Sequence, residues 1–303
     1  MKITFYHSVN VWDPNIMLTH ILLTTIVLPL ILGILIAVAG KENSTRSIAL
    51  TALLIPIAAA IASVSIEGFP TLPPIAAKQK LPVLLLSGGI VFMLLALGLK
   101  QPLERGVSIL ISVISLAVPV WWLGRNIIIA NSTKATTLGV VLMLAAIAQS
   151  LVSSGRSQRL PSAALPASLM ATAIATALSA ILGGYIGMAQ MSGALAALFG
   201  GWLLVGYIAY LRGKDNAFAL QGMAAFAFVW TAAIAVAMTV LFTPSAVPAT
   251  LVLSVLPIAV STVLSWRQIT FAHQPRFLRP LTSGVLVAVP AAVAVLIAAI
   301  VQA

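Results

Sequence analysis

The 303-residue sequence contains no cysteine, and only 7% of its residues carry a formal charge. A soluble domain carries about 25% charged residues, so this composition excludes a soluble globular protein as well as a disordered one. Without cysteine there is no disulfide framework, no thiol nucleophile and no cysteine-based metal site. The composition therefore indicates a chain whose surroundings are apolar.

Acidic residues are the scarcest charged type, and all five lie outside the apolar segments. Ionisable groups inside a bilayer mark proton relays, ion routes and voltage sensors, because burying them is costly. Their absence from the apolar segments argues against a proton pump, a carboxylate-coupled antiporter and a voltage sensor. The five acids are Asp13, Glu42, Glu67, Glu104 and Asp215.

Long apolar runs fill most of the chain, which is 61% hydrophobic with a mean hydropathy of +1.14. A helix that spans a bilayer needs about 20 apolar residues, and continuous runs without strict alternation favour helices. We therefore predict an all-α integral membrane protein, a polytopic bundle of about ten transmembrane helices that forms one membrane domain over residues 1–303. The predicted spans are 18–40, 48–66, 82–99, 106–124, 135–154, 167–188, 192–211, 218–242, 247–265 and 281–301.

A cut at the loop 155–166 would leave five predicted helices in each half, 18–154 and 167–301. An odd number of helices per half inserts the two halves with opposite orientation, as in inverted-repeat transporters. Pro119 and Pro257 would then occupy corresponding helices. The alternative is ten helices without internal symmetry.

Basic residues are concentrated in the loops after odd-numbered spans, which hold eleven of the sixteen. The positive-inside rule places these loops in the cytoplasm, so both termini are predicted on the outer side of the plasma (inner) membrane. The topology of the membrane protein thereby explains the excess of basic residues that gives the net charge of +11. We expect the lipid bilayer as a partner, and no nucleic acid.

Five predicted helices contain a proline well inside the apolar run. Each proline removes one backbone hydrogen bond and tends to kink its helix, and broken helices form transporter sites near the bilayer midplane. Proline is also frequent in ordinary transmembrane helices. The five candidate kink positions are Pro29, Pro56, Pro119, Pro257 and Pro290.

Neutral polar and aromatic side chains supply the candidate substrate contacts. An amide in hydrocarbon needs a hydrogen-bond partner, which makes Gln149 and Gln221 candidates for binding a neutral polar substrate. Tyr185 and Trp230 would then be stacking walls. The plainer alternative is that the amides form hydrogen bonds between helices and that the aromatic rings pack in the bundle.

Small residues four apart indicate close helix packing around the sixth and seventh predicted spans, which we expect to form a tight hairpin. The residues of this predicted seam are Gly183, Gly187, Gly193, Ala197 and Gly201. Separately, His20 and Glu67 both fall at the predicted outer boundary. They could meet there as a weak ion-binding or pH-sensitive pair, or remain two solvated side chains.

Two functions fit these features, and we expect the chain not to be an enzyme. The first is a permease for a neutral, zwitterionic or amphipathic small molecule, because no buried charge awaits a counter-ion. The second is a non-catalytic subunit of a larger membrane complex of the respiratory or photosynthetic type, bound to membrane-protein partners; a homo-oligomer is also compatible. We found no motif for a metal or a cofactor, and an enzyme acting on lipid is the weakest alternative because no acid–base pair appears.

Overall fold

The fold is a bundle of long helices, seen in a computed structural model that describes residues 14–40, 44–99, 103–153, 163–214, 216–267, 271 and 273–302. These residues contain no strand. The first span consists of helix α1, a π-helical segment and helix α2 in continuous succession. The elements are α1 Pro14–Leu22, the π segment Leu23–Val27, α2 Leu28–Ala39, α3 Thr45–Glu67, α4 Ala77–Gly98, α5 Arg105–Ala130, α6 Ser132–Ser153, α7 Ala164–Leu182, α8 Ile186–Leu211, α9 Gly222–Phe242, α10 Pro248–Trp266 and α11 Leu278–Gln302.

Ten helical spans in the described chain are long and apolar enough to cross a membrane, which confirms the predicted number. Several of the predicted boundaries are wrong, most clearly in two places. The helix predicted over 167–188 ends at Leu182, and a turn at 183–185 separates it from α8. The predicted gap between 106–124 and 135–154 is almost absent, because α5 continues to Ala130 and α6 begins at Ser132.

Contacts at the ends of the helices show that successive helices alternate in direction through the bundle. At one end, which we call the Glu67 end, the Lys134 ammonium donates to the Leu241 carbonyl (2.8 Å), and the Gln302 amide donates to the Ser245 carbonyl (2.6 Å). At the opposite end, which we call the Arg276 end, Tyr207 Oη donates to the Phe277 carbonyl. The ends of the described helices therefore lie at one of two faces of the bundle.

Helix α9 is the central element, because 94% of its apolar stretch is buried. A helix that is apolar on all sides belongs in the interior. The Phe228 ring packs 5.1 Å from Trp202, and the Trp230 ring packs 5.0 Å from Phe92. Such aromatic pairs contribute about 0.5–1.5 kcal/mol beyond the area that they bury. Side chains therefore fill the space around α9.

The glycines of α8 join this helix to the first span, which corrects the predicted α7–α8 seam. A β-carbon on Gly201 would overlap the Leu30 carbonyl oxygen, and one on Gly33 would overlap the Leu198 carbonyl oxygen. A β-carbon on Gly193 would lie 3.1 Å from the Thr25 methyl group in the π segment. Small residues permit this close approach of two backbones, but their spacing does not reveal which helix approaches.

The other members of the predicted seam lie in different surroundings. Gly183 lies in the turn after α7 and faces the Thr243 side chain, while Gly187 faces the Glu67 carboxylate. Ala197 is partly buried on α8. Helices α7 and α8 do pack against each other as a hairpin. The four glycines of the predicted seam, however, face the first span, Glu67 and Thr243.

The backbone departs from α-helical geometry near two of the five predicted prolines. The π segment immediately precedes α2, in which Pro29 is the second residue. In α5 the non-helical residue is Gly124 (φ −135°, ψ 16°), five residues after Pro119. The remaining predicted prolines, Pro56, Pro257 and Pro290, lie inside α3, α10 and α11. Each removes one intrahelical N–H donor, so the carbonyl four residues earlier is open to another partner.

Candidate functional site

A stripe of hydroxyl side chains runs the length of one face of α7. Ser168, Thr172, Thr176 and Ser179 follow one another at intervals of four, four and three residues. At 3.6 residues per turn this spacing places them on one face. All four are buried, with relative exposures between 0% and 2%. Helix α7 therefore directs a polar face into the bundle, although its neighbours there are mostly apolar.

A matching stripe lies on α10, which packs against α7. It consists of Thr250, Ser254 and Ser261, all 0–1% exposed. The Ser168 and Ser261 hydroxyl oxygens lie 3.2 Å apart, which fixes the register of the two helices. In an antiparallel pair with this register, Thr172 lies level with Pro257. We call the seven residues of the two stripes the hydroxyl track.

Hydrogen bonding is incomplete at the middle of the track and near its Glu67 end. At the middle, Thr172 Oγ1 is buried and has no partner in the described chain; three residues before the end of α7, Ser179 Oγ has none either. Pro257, nine residues from each end of α10, supplies no N–H to the Leu253 carbonyl. A buried donor or acceptor without a partner costs about 1–3 kcal/mol. A small polar molecule bound at this level would recover that free energy.

Gln149 adds a buried amide on a helix that neighbours the track. It is 0% exposed, and neither its Oε1 nor its Nε2 has a hydrogen-bond partner in the part of the chain that the structure describes. Gln149 lies four residues before the end of α6, and Ser168 lies four residues after the start of α7. At 1.5 Å per residue, both are about 6 Å from the Arg276 end. Helix α6 packs against α10, so the amide and the track belong to neighbouring helices.

The serine hydroxyls around Gln149 have hydrogen-bond partners within α5 and α6, whereas the Gln149 side-chain amide has none in the described chain. Ser153 Oγ donates to the Gln149 carbonyl (2.7 Å), and Ser108 Oγ contacts both Ser153 Oγ and the Ser150 carbonyl. The hydroxyl groups of α5 and α6 are thus paired within the bundle. The Gln149 side chain is the polar group that these pairs leave over.

The chemistry of this site is that of neutral hydrogen bonding. The track and Gln149 offer hydroxyl and amide groups, each able to donate and to accept, and no ionisable side chain. Such a set suits hydroxyl, amide or zwitterionic head groups and provides no acid, base or nucleophile pair. Sequence reasoning missed the track, although its signal was present as Ser and Thr at i, i+4 spacing in the sixth and ninth predicted spans.

The four residues that we predicted as substrate contacts do not form one site. Tyr185 caps the start of α8 at the Glu67 end, whereas Gln221 caps the start of α9 at the Arg276 end. Helix α8, with 26 residues, separates them by about 39 Å. Gln221 also lies before the helix rather than inside it, because α9 begins at Gly222 and not at 218. Of the four residues, Gln149 is buried on α6, which packs against α10, one of the two helices of the track.

Trp230 is placed as a packing residue of the core. Its Nε1 donates to the Ser115 carbonyl (2.8 Å), and its ring fills the space in front of Gly88. With 1% of its surface exposed, the ring is in contact with protein on all sides. Its role as a stacking wall for a substrate stays a prediction, and the ring has no open face at which to perform it.

At the Glu67 end, Glu67 pairs with Lys78 rather than with His20. The Lys78 Nζ and Glu67 Oε2 atoms are 3.3 Å apart. His20 is exposed and forms no ion pair with Glu67. Burial, and secondly the negative charge of Glu67, raise the pKa of the Tyr185 phenol. This group of residues lies at the edge of the bundle, beyond the last residue of the hydroxyl track at the Glu67 end.

We expect Tyr185 to ionise at a higher pH than an ordinary tyrosine, whose pKa is about 10. Since the folded-state pKa is raised, the stability contributed by the neutral phenol is complete below the ordinary pKa and is lost as pH rises through the raised value. Ultraviolet titration of phenolate absorbance, with Tyr185→Phe to assign the signal, measures this. Glu67→Gln should lower the pKa, and Glu104→Gln should leave it unchanged. Ionisation of Tyr185 at or below the pKa of a free phenol would contradict the assignment.

The chain matches no protein-family model, no curated protein and no solved structure. The functional assignment therefore depends on the geometry of the described residues.

Proposed function

We propose that this chain is a polytopic membrane permease for a neutral, zwitterionic or amphipathic small molecule. One observation carries the proposal: a buried polar interior in which Thr172, Ser179 and Gln149 hold polar atoms without partners. If these three positions served only for packing, apolar residues there would make the protein more stable. A buried polar group without a hydrogen-bond partner in a native protein therefore needs an explanation, and transient binding of a polar ligand is one.

The shape of the bundle supports movement as well as binding. The π segment before Pro29 and the break at Gly124 are places where a span is locally unwound. Pro257 lies at the middle of α10, level with Thr172, where it removes one N–H donor although the helix continues through it. Discontinuous helices near the midplane are the usual construction of transporter sites. All seven residues of the track are buried, so substrate access would require a movement of the helices around them.

We place the permease in the plasma membrane with the Arg276 end in the cytoplasm and both termini outside. Among the described residues, the Arg276 end carries seven basic side chains and the Glu67 end four. The positive-inside rule favours this orientation. The chain would act with the lipid bilayer around it as one membrane domain.

The experiment is solute flux into proteoliposomes that contain the purified chain. The probes are glycerol, urea and glycine, which represent a polyol, an amide and a zwitterion. We expect one class to enter faster than into protein-free liposomes, with saturation at high concentration. A panel in which no probe exceeds the protein-free rate, together with native mass measurements that show stoichiometric partner chains, would overturn the permease in favour of a subunit.

The subunit alternative has one observation of its own. The outer faces of α7 and α11 expose small residues beside large apolar ones, a surface that no other described helix covers. Small residues are common where helices of different chains meet. Gentle extraction from the native membrane distinguishes the two functions, because a permease purifies alone or as a homo-oligomer.

A further inference from the structure

A lateral groove runs along the outside of the bundle between α7, α8 and α11. Its volume is about 920 Å³, near the upper end of the roughly 300–1,000 Å³ range of ligand pockets. Apolar side chains line it, apart from the hydroxyl of Tyr207 at one end. Val285 and Leu296 on its α11 wall are 68% and 60% exposed. At 3.6 residues per turn, the α7 residues that line the groove lie on a different face from those of the hydroxyl track.

The dimensions of the groove decide what can occupy it. Its lining extends from Pro280 to Ala299 along α11, which is about 28 Å at 1.5 Å per residue. That length is close to the roughly 30 Å thickness of the hydrocarbon core of a bilayer. Apolar side chains line the groove and its α11 wall is exposed, so hydrocarbon chains of the surrounding lipid have direct access to it. The groove therefore suits hydrocarbon chains that lie along it.

Charge is present at one end of the groove and absent at the other. At the Arg276 end, Arg279 immediately precedes the lining residue Pro280, and the Arg276 guanidinium lies 4.8 Å from the centre of the Tyr210 ring. That ring packs 5.7 Å from Phe218, which lines the groove. At the Glu67 end, the neighbouring residues 179–185 and 300–302 carry no charged side chain.

We propose that the groove binds an anionic phospholipid, with its hydrocarbon against α7 and α11 and its phosphate at Arg276 and Arg279. The planar guanidinium of arginine matches phosphate oxygens. Here each Nε already donates to a backbone carbonyl, Arg276 to Tyr210 (3.2 Å) and Arg279 to Gln274 (3.0 Å), so the attraction for a phosphate comes from the two positive charges held at this end. Basic pockets beside apolar grooves between spans recognise anionic lipid head groups in this way. The ligand is a lipid of the leaflet at the Arg276 end, and its site is separate from the hydroxyl track.

Native mass spectrometry of the purified full chain tests the proposal, with phosphatidylglycerol and phosphatidylcholine of identical chains added at equal concentration. We expect about tenfold more phosphatidylglycerol to remain bound. The double variant Arg276→Gln/Arg279→Gln should bind both lipids equally. Ala292→Phe, which places a ring in the groove, should lower binding of both.

Matched variants on the same elements or at the same end keep the test specific. Arg46→Gln/Arg105→Gln removes two exposed arginines from the Arg276 end, and Val293→Phe changes an exposed residue of α11 outside the groove. Both control variants should bind the same total amount of lipid as the wild-type chain, with the same preference for phosphatidylglycerol. Equal binding of the two lipids by the wild-type chain, undiminished binding by Ala292→Phe, or a co-purifying protein chain that crosslinks to position 292 would overturn the proposal.

Discussion

The Gly201→Ala variant should lose about 3 kcal/mol or more of its free energy of unfolding, although only one methyl group is added. The Gly201 α-carbon lies against the backbone of α2, where a β-carbon would overlap the Leu30 carbonyl oxygen. A flexible side chain could move aside, but a helix backbone moves only with its whole helix. Gly33 faces the Leu198 carbonyl in the same contact, so Gly33→Ala should have a similar effect.

Titration with sodium dodecyl sulfate in mixed micelles, followed by tryptophan fluorescence, measures the free energy of unfolding. Gly139→Ala is the matched control, because no atom lies within 4 Å of its β-carbon position and the residue is exposed on α6. There alanine should be neutral or stabilise by up to about 1 kcal/mol, owing to its higher helix propensity. Equal effects at positions 201 and 139 would show that α2 and α8 are not in close contact.

The Gln149→Leu variant should be more stable than the wild-type chain by about 1–3 kcal/mol and should lose solute flux at least tenfold. Leucine of similar size removes two buried polar atoms that have no partner in the described chain. If the amide binds substrate, the same change removes a hydrogen bond that the substrate requires. A gain in stability with a loss of flux is the expected signature of a residue kept for function.

Thr136→Val serves as the control for Gln149→Leu, because this hydroxyl is exposed and already donates to the Thr133 carbonyl. Its flux and stability should stay close to those of the wild-type chain. A Gln149→Leu variant that is less stable than wild type would mean that the amide has structural partners. Unchanged flux would remove Gln149 from the site.

Much of the fold follows from the sequence, because each apolar run long enough to cross a bilayer forms a helix. The failures come from interactions between distant residues. Lys134 was predicted in a loop, but it lies in the first turn of α6, where its ammonium bonds to the Leu241 and Thr243 carbonyls at the end of α9. Such a long-range cap leaves no trace in local hydropathy.

The site was harder to predict than the helices. Gln149 stands out in a sequence because an amide is rare in an apolar run. Ser168 and Ser261 do not, because serine in a helix usually bonds to its own backbone, and only the packing of α7 on α10 joins them. Tyr185 and Gln221 looked like site residues because predicted helix boundaries placed them inside the bundle rather than at its two ends.

Accessibility of the hydroxyl track is the most direct test of the permease. The chain has no cysteine, so Thr172→Cys introduces a single thiol in place of a hydroxyl. Ala59→Cys, fully buried within α3, is the control. In sealed vesicles that contain the folded protein, we predict that a small membrane-impermeant methanethiosulfonate reacts with Thr172→Cys from each side and not with Ala59→Cys. A Thr172→Cys variant as inert as Ala59→Cys from both sides would contradict the permease.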